Sequence, residues 1–197
     1  MINRELYMEQ ITPFIDKPFV KVITGIRRCG KSVVLRLIRE ELLRRGVSED
    51  YIIYMNFESF EWIDMKEAKA LYAHIREATK APGKYYILLD EIQEVTDWEK
   101  AVNAFLVDLD VDIYVTGSNS RLLSSEFSTY LAGRYVAFHI MTLSFREYLL
   151  FHDLPLTISV SDRKTEFLKY LRMGGFPAIH TANYDYNAIY KIVYDIY

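Results

Sequence analysis

The sequence predicts an α/β fold built on a central parallel sheet, and three observations predict it. Residues 19–45 read as a β-branched strand, a glycine-punctuated loop and an amphipathic helix in direct succession. Tyr85-Tyr-Ile-Leu-Leu-Asp90 is apolar without alternation, as expected of a strand covered on both faces. Strand-like and helix-like segments alternate as far as Phe151, which implies parallel strands joined by right-handed crossovers.

In chain order, residues 3–15 read as a short helix with Leu6, Ile11 and Phe14 inward, broken by Pro18. Phe19 to Thr24 is the first strand. The next helix, residues 32–45, places Val34, Leu35, Ile38 and Leu42 on one face and Arg36, Arg39, Glu40 and Arg44 on the other, and Gly46 ends it. Tyr51 to Phe57 is a second strand and residues 64–80 a helix, followed by a Pro82-Gly83 turn. After the third strand come a helix over 98–109, a strand over 111–117, a helix over 121–131, a strand over 135–140 and a helix over 145–151. Beyond Pro155 the strand signal stops. Residues 162–173 read as a helix, Gly174-Gly-Phe-Pro177 as a hard turn, and 186–197 as a helix apolar nearly all round and therefore buried. The domains expected are a core over 1–154 and the start of a smaller helical unit over 155–197.

Chemistry enters at Gly25-Ile26-Arg27-Arg28-Cys29-Gly30-Lys31-Ser32, a complete GxxxxGK[ST] pattern followed by Val33. Its glycines let the backbone wrap around phosphate oxygens with N–H groups inward, and the following helix aims its dipole and unpaired amides at the same place. Lys31 is expected on the β- and γ-phosphates, and the Ser32 hydroxyl on Mg²⁺. The strand-loop-helix context is what the motif needs in order to work. A glycine-rich turn with a solvated lysine would not account for Gly25, Gly30, Lys31 and Ser32 at the required spacing.

The third strand ends in Asp90-Glu91, past an intervening βα unit. Parallel strands deliver their carboxyl ends to one edge, where the loop also lies. Asp90 is therefore expected to hold Mg²⁺ through its water shell opposite Ser32, and Glu91 to polarise an attacking water. Thr116-Gly-Ser-Asn119 closes the fourth strand. Ser118 or Asn119 is expected either to sense the γ-phosphate or to cap the following helix. Among the arginines, Arg134 after the Ala132-Gly133 turn is the first choice to complete the site, and Arg121 the second.

The chain has 197 residues, about half of them apolar, and a net charge of −3, which fits one α/β domain and argues against a general nucleic-acid binder. Its single cysteine, Cys29, allows no disulfide within the chain, and no stretch approaches the ~20 apolar residues of a membrane span. A cytoplasmic setting is expected. The histidines are scattered without ligand spacing.

Together the Gly-x-Arg-Arg-x-Gly-Lys-Ser loop, Leu88-Leu-Asp-Glu-Ile-Gln93, Thr116-Gly-Ser-Asn-Ser-Arg121, Leu131-Ala-Gly-Arg134, Leu143-Ser-Phe-Arg-Glu-Tyr148 and Gly174-Gly-Phe-Pro177 resemble the AAA-type ATPases of bacteria and archaea. The likeness is to the group in which an N-terminal ATPase domain precedes a nuclease-like C-terminal domain of unknown function. The resemblance implies a three-layer P-loop NTPase core, strand order 5-1-4-3-2, with a helical or winged-helix lid from about residue 155. It also implies that a C-terminal domain follows in the longer protein, in line with the uncapped last helix. A nucleic-acid partner is implied only through that resemblance.

The function expected is Mg²⁺-dependent binding and hydrolysis of ATP, coupled to motion of an attached domain, a protein partner or a second copy of the chain. The alternatives are a nucleotide-gated interaction module with little turnover and, third, a small-molecule kinase, which has less need of a Glu beside Asp90. No Asn-Lys-x-Asp segment is present to read guanine.

Overall fold

A computed structural model describes residues 3–118, 122, 131–181 and 185–194. The described residues fall into two compact units. The larger comprises Glu5–Gly25 and Lys31–His139, and the smaller comprises residues 3–4, Ile26–Gly30 and the segment from Ile140 onward.

In the larger unit, five strands form one parallel sheet: β1 (Val20–Gly25), β2 (Ile52–Asn56), β3 (Tyr85–Asp90), β4 (Val111–Gly117) and β5 (Tyr135–Ile140), in the spatial order β2-β3-β4-β1-β5. This is the order implied by the resemblance. Helices α1 (Glu5–Ile11), α2 (Lys31–Arg44), α3 (Ala68–Ala78) and α4 (Trp98–Asp108) flank the sheet. β1 and β3 are buried at every position. Register pairs Thr24 with Gly117 and Asn56 with Asp90, so the carboxyl ends of β1–β4 finish together at one edge. Val22, Ile87, Leu89, Ile113 and Val115 from the strands pack with Leu71, Ile75, Val102 and Phe105 from the helices. On α2, the four expected inward residues are fully buried, and Gly46, at φ 90°, follows its end in a conformation that favours glycine.

Several expectations change. The first helix is shorter, ending at Ile11 before a 3₁₀ turn over Thr12–Phe14, because Pro13 has no N–H for an α-helical ladder. Ile11 is buried as expected, but Leu6 faces solvent and Tyr7 is buried in its place. The helix expected over 64–80 begins at Ala68 after a kinked 3₁₀ segment, Phe60–Met65. The helix expected over 121–131 lies outside the described residues, apart from Leu122 and Leu131.

The amino edge of the sheet holds a charge that the periodicity does not reveal. Lys21, on β1, is fully buried and donates to Asp112 on β4 and to the Lys17 carbonyl at 3.0 Å. Asp112 also accepts from the Asp16 backbone N–H at 2.9 Å and the Tyr114 hydroxyl at 2.8 Å. Burial pushes the Lys21 ammonium below its ordinary range, while Asp112 opposes that shift. A buried charge survives only with such partners.

In the smaller unit the regular elements described after Ile140 are all helical. α5 (Phe145–Phe151) opens with a capping box in which the Ser144 side chain and Glu147 satisfy each other's backbone N–H groups. α6 (Val160–Met173) is capped by Ser159, and α7 spans Tyr186–Tyr194. Gly174 (φ 77°) turns the chain, and Phe176, Ile179 and Ile189 form a small core. α7 is not buried all round as its composition suggests: Ile189 packs inward while Tyr190 and Tyr194 stand in solvent. A tyrosine at such a position presents its ring and hydroxyl to water.

Candidate active site

The loop turns on three positive-φ residues, Gly25 (155°), Arg28 (63°) and Gly30 (107°). The Cys29 N–H donates to the Ile26 carbonyl at 3.3 Å. Ile26, Arg27 and Arg28 are exposed, Cys29 is buried, and Ser32 and Val33 are half-buried in the first turn of α2. Cys29, Gly30, Lys31 and Ser32 thus lead straight into a helix of 14 residues, whose first N–H groups have no intrahelical partner.

The carboxyl edge of the sheet brings the second motif to Lys31. The Lys31 ammonium lies 3.3 Å from Glu91 Oε1, and both side chains are largely shielded from solvent. The other Glu91 oxygen accepts from Gln93 Nε2 at 2.6 Å. Glu91 sits in the left-handed region (φ 54°, ψ 49°), uncommon for a residue with a side chain and typical of positions held by their surroundings. The holding group here is the Thr116 hydroxyl. It accepts the Glu91 N–H at 2.9 Å and donates to Asp90 Oδ1. Asp90 is fully buried, and its second oxygen accepts from the Tyr54 hydroxyl at 3.1 Å. Burial first, then the charge of Asp90, pushes the Tyr54 phenol far above its ordinary range, so it stays a donor.

This arrangement suits a hard cation held mostly by a ligand. Among the described residues no group of three or more His, Cys, Asp or Glu is placed to hold a metal. Ser32 and Asp90 supply one hydroxyl and one carboxylate, the oxygen donors Mg²⁺ takes when phosphate oxygens and water complete its shell.

Four residues without an assigned role in the sequence reading take part: Thr116, Gln93, Tyr54 and Gly117. A Cβ on Gly117 would stand 2.1 Å from Gln93 Oε1 and 2.6 Å from Leu122 Cδ1, so the glycine makes the room Gln93 occupies. A polar Thr closing the apolar run Ile113-Tyr-Val115 is a usable signal for Thr116. The others depend on register across strands and on a turn.

Ser118 follows the end of β4, and its carbonyl accepts the Leu122 N–H at 3.1 Å. Asn119 and Arg121 lie outside the described residues. Arg134 is not brought to Lys31 and Glu91. Its carbonyl accepts the Val20 N–H at 2.8 Å, at the amino edge of the sheet, and its guanidinium donates to Asn103 Oδ1 at 3.0 Å. There it lines a cleft of about 450 Å³ with Asp16, Lys17 and Lys84. The turn at Gly133 feeds the start of a parallel strand, and the start of such a strand is the edge opposite the loop.

An AAA domain family model matches residues 17–149. An uncharacterised protein of Haemophilus influenzae is 43% identical over 186 residues, 93% of this chain and 46% of that protein. An uncharacterised protein of Methanocaldococcus jannaschii is 35% identical over 184 residues, 91% of this chain and 39% of that protein. The chain therefore spans less than half the length of these curated relatives. Among solved structures, AMPPCP-bound DnaA from Aquifex aeolicus aligns with a TM-score of 0.57 at 15% identity, over 98% of this chain and 62% of that one. The Aeropyrum pernix ORC1 protein in complex with DNA aligns at 0.52 and 17% identity, over 84% and 50%. Both show likeness of fold.

Proposed function

The chain belongs to the AAA domain family, and from that premise we propose that it binds ATP with Mg²⁺ and hydrolyses the β–γ bond. One observation carries the reading: Lys31, from the loop motif, and Glu91, from the end of β3, meet at 3.3 Å beside a buried Asp90. Two segments far apart in sequence thus put an ammonium and two carboxylates at one sheet edge, which supports a phosphate-binding role for Lys31, a metal-side role for Asp90 and a base role for Glu91.

In this reading the loop amides and Lys31 bind the β- and γ-phosphates, with Ser32 and Asp90 on the metal side. Mg²⁺, when bound, neutralises charge developing on the phosphate oxygens. Lys31 leaves Glu91 for the phosphate, which frees Glu91 Oε1. Gln93 keeps the second oxygen oriented, and Glu91 then takes the proton of the attacking water. Thr116 holds the backbone that aims Glu91, and the Tyr54 hydroxyl fixes the orientation of the Asp90 carboxyl group. Ser118 and Asn119 are proposed beside the γ-phosphate. Arg134, at the far edge, serves only in trans to a second copy. The extra length of the relatives supports coupling of hydrolysis to motion of an attached domain.

The test is a pair of variants assayed by phosphate release and calorimetry. Lys31→Ala is expected to lose nucleotide binding. Glu91→Gln is expected to bind ATP at least as tightly, since the charge that competes for Lys31 is gone, and to lose at least a hundredfold in turnover. Unchanged turnover in Glu91→Gln refutes the role of Glu91.

A second reading is favoured by the engagement of both Glu91 oxygens: a nucleotide-gated module that turns over slowly until a partner releases Glu91. Steady-state phosphate release from the chain alone separates the two.

A further inference from the structure

Arg4 stands in the N-terminal segment, ahead of every motif, yet its side chain is only 2% exposed. Its Nη1 donates to the Cys29 carbonyl at 3.0 Å, inside the loop, and its Nη2 donates to the Met141 carbonyl at 2.8 Å. Its Nε lies 2.6 Å from Glu147 Oε1. Glu147 is itself fixed, because Oε2 accepts from the Ser144 N–H at 2.8 Å and the Ser144 hydroxyl at 2.9 Å. Within the smaller unit, one guanidinium thus joins the loop, the Met141 carbonyl and the start of α5.

The consequence follows from peptide geometry. In a planar trans peptide the carbonyl and the next N–H point in opposite directions. With the Cys29 carbonyl turned onto Arg4, the Gly30 N–H is directed away from the guanidinium. A cation on the carbonyl also polarises that peptide and strengthens its N–H as a donor. Gly30 suits the position twice over: its φ is 107°, and an added Cβ would meet Arg4 Nη1 at 3.1 Å. Lysine could not replace the arginine, since its single ammonium cannot span two carbonyls and a carboxylate with fixed geometry.

We infer that Arg4 is a positioning residue for the phosphate loop, setting the direction of the Gly30 N–H for an anionic phosphate ligand, with Glu147 as its counter-charge. The inference rests on the triphosphate reading of the loop.

The experiment measures dissociation constants for Mg-ATP and Mg-ADP, with steady-state kinetics and thermal melts, for the unsubstituted protein, Arg4→Lys and Glu147→Gln. Arg4→Lys is expected to weaken both nucleotides at least tenfold and raise KM in parallel, with kcat within threefold. Glu147→Gln, which keeps Arg4 but removes its counter-charge, is expected to weaken both at least threefold. A purely structural role would lower the melting temperature and leave the dissociation constants of the folded protein unchanged. That outcome overturns the inference. If Arg4→Lys melts below the assay temperature, Glu147→Gln alone decides, and binding within twofold of the unsubstituted protein overturns the role of Arg4. Failure of the unsubstituted protein to bind either nucleotide refutes the triphosphate reading itself, and the inference with it.

Discussion

Gly117→Ala tests how tightly Gln93 is built into the site. The new Cβ would lie 2.1 Å from Gln93 Oε1, 2.6 Å from Leu122 Cδ1 and 2.7 Å from Leu122 Cγ. Ordinary contact begins well beyond these separations, so both neighbours must retreat. Gln93 can swing away, but only by giving up its 2.6 Å bond to Glu91. Leu122 is fully buried in the main core and has less freedom. Overpacking of this kind costs about 1–3 kcal/mol. Loss of a hydrogen bond to a charged, partly shielded group adds roughly 1 kcal/mol. A total of about 2–4 kcal/mol corresponds to a melting temperature lower by about 5–15 °C in a chain of this size. A double-mutant cycle isolates the cause. Gln93→Ala removes one of the two clashing groups, so Gly117→Ala should cost at least about 1 kcal/mol less in that background. Thermal and urea melts of the four proteins give the answer. Costs that add within ~0.5 kcal/mol, or a Gly117→Ala protein melting within 2 °C of its parent (about the effect of 0.5–1 kcal/mol), would show that Gly117 does not make room for Gln93.

Two further outcomes follow from the same kind of contact. Thr116→Val removes the hydroxyl shared by the Glu91 N–H and Asp90 Oδ1. It should lower stability by about 2–4 kcal/mol through two buried groups left short of a partner, while Thr116→Ser stays near the parent in urea melts. His180 is buried against Tyr148 and His152. Burial holds its pKa below the ordinary value, although the Gly174 carbonyl opposes the shift. The unfolded chain therefore binds a proton that the folded one resists. Stability from this site is full above about pH 6.5 and is lost as pH falls through the lowered folded value. Melting curves between pH 7.5 and 5 should show the loss, reduced in His180→Phe, and a variant that follows the parent at every pH removes His180 as the cause.

β3 was legible because it is buried on both faces, and such a strand must be written as an unbroken apolar run. Tyr85–Asp90, Val111–Gly117 and Tyr135–Ile140 stand where the sequence places them. The helix register of α2 was equally readable, since Val34, Leu35, Ile38 and Leu42 follow one face. Helix starts were less so. Lys66 and Glu67 have helix-forming side chains, yet the chain there makes an isolated bridge, Glu67 to Thr96, before α3 begins. Lys21 defeats any reading by polarity, because what permits its burial is Asp112, a residue on another strand.

By itself, the sequence determined the loop, the Asp90-Glu91 pair and the parallel sheet that carries both to one edge. These are local features: spacing, glycine placement and apolar runs act within a few residues of themselves. Only the tertiary structure decided that Thr116 joins Asp90 to Glu91, that Gln93 fills the space left by Gly117, that Arg134 stands at the opposite edge, and that Arg4 lies against the loop carbonyl. Each of these depends on which strands are neighbours and on how far a side chain reaches across them. No pattern along the chain encodes that reach, because a hydrogen bond between distant residues forms only after the backbone has brought them together.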